Sequence, residues 1–114
     1  MSNIHQQQVG LALQSSDFVR KTIEQIEKDF RMCGIDYSFI SKDENLVAAE
    51  LTLSVQAAID RLSNTELQQF IYIIDLKEKD FLDAVIQEDN GLQLAQRIVF
   101  REAFKVYLKA KFSE

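Results

Sequence analysis

Residues 97–112 read RIVFREAFKVYLKAKF, and within them Arg97, Arg101, Lys105 and Lys109 recur at every fourth position. On a helix that spacing sets four cations along one slowly drifting stripe. Taken from Leu92, the rest of the segment is apolar on almost every other side. Leu92, Ala95, Val99, Ala103, Val106 and Ala110 share one face, and Phe100, Phe104 and Tyr107 widen it. Leu94, Ile98, Leu108 and Phe112 lie among the cations themselves. A helix apolar nearly all round belongs inside a bundle, and the small residues on its main face let a neighbour approach closely. The stretch therefore sets the fold class: all-α, a single domain of four to five mostly antiparallel helices around one core.

The chain upstream supplies the partners. There is no proline among the 114 residues and there are only three glycines, so little interrupts a helix. In SDFVRKTIEQIEKDFRMCG (16–34), Val19, Ile23, Ile26, Phe30 and Cys33 alternate by four and three, with Ser16 as N-cap and Gly34 as the stop. GIDYSFISK (34–42) has no helical period and reads as a connector whose Tyr37, Phe39 and Ile40 tuck against the core. Ser41 and Glu44 then match a capping box that opens a helix to about Leu62. Its main stripe is Val47, Leu51, Val55, Ala58 and Leu62; a second, Leu46, Ala49 and Leu53, predicts that it sits between neighbours.

Ser63 and Glu66 repeat the capping signature before a helix carrying Leu67, Phe70, Ile71 and Ile74. Asp80 can cap a shorter helix with Phe81, Leu82, Val85 and Ile86, which Asn90-Gly91 ends. Residues 1–14 read as a weakly ordered segment or a short helix, because Val9, Leu11 and Leu13 alternate as in a strand while the glutamines tolerate helix. The bundle domain is 15–114.

The run FIYIIDLKEK (70–79) resembles a segment of small uncharacterised all-helical bacterial proteins, in which an Ile-Asp-Leu/Ile-x-Glu-Lys phrase follows an aromatic-rich helix. The resemblance implies a small bacterial helical protein and lends no activity or site residue.

Composition excludes several chemistries. The apolar fraction of 46% and eight Phe exclude a disordered chain. No apolar run is long enough for a membrane span. MSNIHQQQ has neither the basic nor the apolar region of an export signal, and one cysteine cannot form an internal disulfide, so a cytoplasmic location is expected. A catalytic triad needs a base against a nucleophile, and the single histidine, His5, stands in the least patterned stretch. Cys33 fits the apolar stripe as a small core residue. Glu-x-x-His pairs for a di-iron site are absent. Placing Gly91 sixth in a calcium loop puts Ile86 where the first carboxylate must be. Glu24 and Glu27 are expected to face outward. No catalytic residue, cofactor or metal ligand is expected, and the chain does not read as an enzyme.

LQQFIYIIDLKEKDFLDAVI (67–86) has helix-turn-helix spacing, yet Asp75 occupies the turn where glycine would ease the bend. Its second helix carries Asp80, Asp83, Glu88 and Asp89, which phosphates repel. The charge split is sharp. Residues 1–91 hold 8 Lys+Arg against 16 Asp+Glu, net −8, whereas 92–114 hold 5 against 2, net +3. Three roles for the stripe follow: internal matching to the chain's own acids, a contact surface for a homodimer or an acidic protein partner, or a grip on nucleic acid or anionic lipid, which the remaining −8 opposes. The candidate interaction surface is Arg97, Arg101, Lys105, Lys109, Leu94, Ile98, Leu108 and Phe112. The expected function is a non-catalytic adaptor, inhibitor or regulatory subunit working through protein–protein contacts. The alternative is a nucleic-acid-associated regulator using the basic last helix.

Overall fold

The computed structural model describes residues 3–37 and 47–112, and every element in them is helical: α1 (Asn3–Ala12), α2 (Ser16–Met32), α3 (Ala48–Asp60), α4 (Asn64–Ile73), α5 (Glu78–Val85) and α6 (Leu92–Phe112). The all-α class stands, but six helices replace the four to five expected. The additional one is α1. Its own sequence barely favours helix; contact with α6 fixes it. Val9 is buried, the His5 ring lies 6.0 Å from those of Phe104 and Tyr107, and the Tyr107 hydroxyl donates to Gln8 Oε1.

α2 follows its spacing. Val19, Ile23, Ile26 and Phe30 are all buried. The N-cap is Ser15 rather than Ser16: Ser15 has extended backbone, and its hydroxyl accepts from Phe18 N–H. At the other end Gly34 takes φ +75°. Gly34 N–H donates to Arg31 O and Ile35 N–H to Phe30 O, the paired bonds of a Schellman stop. Ile35 is buried behind it, and Tyr37 meets Phe30 edge-on at 5.9 Å. The expected places of Phe39 and Ile40, and the Ser41–Glu44 capping box, lie outside the described residues.

α3 departs from expectation in two ways. It runs Ala48–Asp60 with Val47 at the N-cap and no side-chain cap. The main stripe is the inner one; of the second, Leu46 lies outside the described residues. Leu51, Val55 and Ala58 are buried, whereas Ala49 is exposed and Leu53 is 59% exposed. The helix lies on α6 and α2 and presents its other side to solvent.

The Ser63–Glu66 capping box forms in full, with Ser63 Oγ accepting from Glu66 N–H at 3.1 Å and Glu66 Oε1 accepting from Ser63 N–H at 2.9 Å. Phe70, Ile71 and Ile74 are buried as expected. A second Schellman pair ends α4, Asp75 N–H to Tyr72 O and Leu76 N–H to Ile71 O, with Asp75 itself at φ +59°. The bend that glycine would ease is made by an aspartate in the left-handed region.

α5 begins after Lys77, not at Asp80, and its stripe is thinner than the sequence suggests. Ala84 is its one buried residue; Phe81 is half-buried, and Leu82, Val85 and Ile86 are exposed. Asn90-Gly91 (φ +59° and +84°) lies beyond the end of α5 and starts α6, where the Asp89 carboxylate accepts from Gly91 N–H and Gln93 N–H. α6 touches α1, α2, α3 and α5. Around it, Phe30 and Phe70 stack at 4.4 Å in the core. The radius of gyration, 13.4 Å, is that of one globule of this length, about 13 Å.

Candidate functional site

Along α6 the four cations of the stripe reach three parts of the bundle. Arg97 Nη1 donates to Asp80 Oδ1 of α5 at 3.2 Å. Arg101 Nε donates to Ile74 O at 2.8 Å, a cation on the last carbonyls of α4 where the helix dipole is negative. The same guanidinium stands 3.6 Å from Asp75 Oδ2. Lys105 Nζ donates to Asp29 Oδ2 of α2 at 2.7 Å, and Lys109 Nζ to Gln25 Oε1 at 2.6 Å. The pairs Asp29–Lys105 and Gln25–Lys109 run in opposite senses along the two chains, so α2 and α6 are antiparallel here. Each cation of the stripe meets at least one acceptor of the chain itself.

The eight residues singled out from the sequence do not form one surface. Leu94 and Ile98 are buried in the core, Arg97, Arg101, Lys105 and Leu108 are half-buried, and Lys109 and Phe112 are exposed. Leu94 and Ile98 serve the interior because other helices wrap α6 on that side as well.

Sequence reasoning missed the acids that answer Lys105. Asp29 is 2% exposed, and Gln25 Nε2 donates to both of its carboxylate oxygens. Glu102 is fully buried between Val99 and Val106, and neither of its oxygens accepts a hydrogen bond from a described donor. Lys105 Nζ, 3.5 Å from Glu102 Oε1, is an ion-pair neighbour only. Burial pushes the Glu102 carboxyl up to about 9, and the adjoining Asp29 charge pushes the same way against the weaker pull of Lys105. Glu102 therefore keeps its proton at neutral pH. Burial alone would raise Asp29 too, yet the adjoining Glu102 and the hydrogen bonds from Lys105 and Gln25 together hold its carboxyl below the ordinary value. A signal was present: Glu102 interrupts the apolar positions 95, 99, 103 and 106, where a charge has no solvent. Glu27, expected outside with Glu24, is buried as well, while Glu24 is exposed.

Cys33, half-buried at the C-cap of α2, packs against the core. Burial, and then the Asp29 charge, push its thiol up, away from a reactive thiolate. His5 is half-buried beside two rings of α6 rather than on open surface. Among the described residues no three His, Cys, Asp or Glu side chains assemble to hold a metal ion, and no helix is long and apolar enough to cross a membrane.

A wider groove lies elsewhere, between the end of α2 and α4. It holds about 530 Å³ and is lined, among the described residues, by Met32, Cys33, Thr65, Gln68, Gln69, Tyr72 and Ile73, none of them charged. Tyr72 is 84% exposed and Met32 61%. Comparison of the chain with protein-family models, curated proteins and solved structures found no match in any of the three.

Proposed function

We propose that this chain is a non-catalytic helical protein that acts through protein–protein contacts, as an adaptor, inhibitor or regulatory subunit. One observation carries the reading: an uncharged groove between α2 and α4 flanked by the exposed side chains of Tyr72 and Met32. Aromatic residues and methionine are enriched where proteins meet, and charge is depleted at the centre of such contacts. The polar groups gathered along α6 hold helices together. The nucleic-acid alternative has less support, because Arg97 and Lys105 are matched to acids of the chain itself, Arg101 is held to a carbonyl with only its terminal N–H groups open, and a phosphate backbone is gripped by several free cations at once.

The test is a pull-down from the native cell with wild-type protein and with Tyr72→Asp, read by mass spectrometry. A protein retained by wild type and lost from the variant, with the melting curve unchanged, supports the reading. Equal retention by both removes the groove from it. Nucleic acid as the sole co-purifying partner, released by salt, favours the alternative.

A further inference from the structure

We propose that the groove where α6 meets the α4–α5 turn binds a small amphipathic carboxylate, with Arg101 as the anchor for its carboxyl group. This goes beyond the protein-contact reading and does not depend on it. The groove holds about 320 Å³ and is lined by Arg97, Arg101, Phe100, Phe104, Leu76 and Asp75, a size at the small end of ligand pockets, roughly 300–1,000 Å³.

Arg101 is fixed but not satisfied. Its Nε is bound to Ile74 O, and its guanidinium carbon stands 5.9 Å from the centroid of the Phe104 ring, so two contacts set the plane of the fork. The terminal N–H groups make no hydrogen bond to a described residue. Their nearest acid, Asp75, is 3.6 Å away, beyond hydrogen-bond distance, and 91% exposed. A pre-oriented guanidinium with unspent donors takes a carboxylate through two parallel bonds. Little ordering remains to oppose binding.

Charge favours an anion over a cation. Arg97, Arg101 and Lys77 face Asp75 and Asp80 around the groove, and Asp80 is already bound to Arg97 at 3.2 Å. Asp75 is the one weakly held competitor for Arg101. Phe100, Phe104 and Leu76 offer the apolar wall that a bare inorganic anion would not use.

The test titrates isotopically labelled full chain with octanoate, octan-1-ol or octylammonium, and follows the amide resonances. Octanoate is expected to give saturable shifts centred on residues 75–77 and 97–104, with affinity at least about tenfold above that of the other two. Asp75→Asn leaves a residue that accepts the left-handed backbone and removes the competing carboxylate; it should tighten octanoate binding about threefold. Arg101→Gln should abolish saturation. Since it also deletes the contact with Ile74 O, its melt is recorded alongside, and Asp75→Asn decides the outcome if Arg101→Gln does not fold. Equal binding of octan-1-ol, an Asp75→Asn affinity unchanged or weaker, or no shift over 97–104 would each overturn the proposal.

Discussion

At the scale of single residues, Glu102 and Asp75 hold states that their side-chain chemistry disfavours, and both are open to repair. Glu102 is buried in its protonated form, with its carboxyl raised from 4.5 to about 9. The unfolded chain releases that proton above pH 4.5 while the folded chain keeps it until pH 9. Between those values the folded state binds more protons, so this group costs more stability as pH rises, up to about tenfold in the folding equilibrium per pH unit. Asp29 works in the opposite sense: its lowered carboxyl adds stability above its ordinary value of 3.8, and that stability is lost as pH falls below it. Glu102→Gln keeps the shape and removes the ionisable group. Melting curves from pH 5 to 9 should therefore be flatter in the variant, which should melt above wild type at pH 8; a variant curve parallel to that of wild type would mean that Glu102 is not protonated. Asp75, at φ +59°, carries strain that glycine lacks. Its ion pair with Arg101 is worth little at 91% exposure. Asp75→Gly should stabilise by up to about 1 kcal/mol in urea unfolding, and a loss would show that the pair outweighs the backbone strain.

Among the elements, α3 tests which face of a helix the core uses. Both of its sequence stripes are apolar, but burial separates them: Val55 is inside and Leu53 is 59% exposed. Leu53→Asp should change stability by no more than about 0.5 kcal/mol. Val55→Asp buries an unpaired charge, costs several kcal/mol and should abolish the cooperative transition. Similar melts for the two variants would mean that α3 is rotated or covered on its outer side. α4 and α5 show the other limit. A complete capping box and a Schellman stop bound α4, and its buried residues follow the spacing. In α5 the apolar residues outnumber the positions the core can accept.

For the molecule as a whole, the net −8 of residues 1–91 and +3 of 92–114 become a set of ties from one helix to three places. α6 reaches α5 through Arg97, the end of α4 through Arg101, and α2 through Lys105 and Lys109. The ties are unequal. Arg97–Asp80 and Arg101–Asp75 are open to water and contribute little, whereas Lys105 answers an aspartate that is 2% exposed. Arg101→Glu combined with Lys105→Glu places new carboxylates beside Asp75, Asp29 and Glu102. It should cost about 3 kcal/mol or more, most of it from position 105, and lower the melting temperature by roughly 10 °C. A double variant that melts like wild type would place the stripe outside the folding energetics.

The sequence by itself determined what local forces control. Spacing by three and four residues marks α2, α4 and α6, because an apolar stripe on a helix must be buried somewhere. Ser63–Glu66 and Gly34 mark helix ends, since caps and stops satisfy backbone groups within a few residues. The stripe of cations was legible for the same reason. Tertiary structure alone decided what depends on neighbours distant in the chain. It made α1 a helix by seating Val9 and His5 on α6, left the second apolar stripe of α3 facing out, and turned Leu94 and Ile98 inward. It also brought Asp29 to Lys105 across 76 residues, enclosing Glu102 beside them. A charge shows its sign in the sequence, but its partner, its burial and hence its protonation are properties of the packed whole.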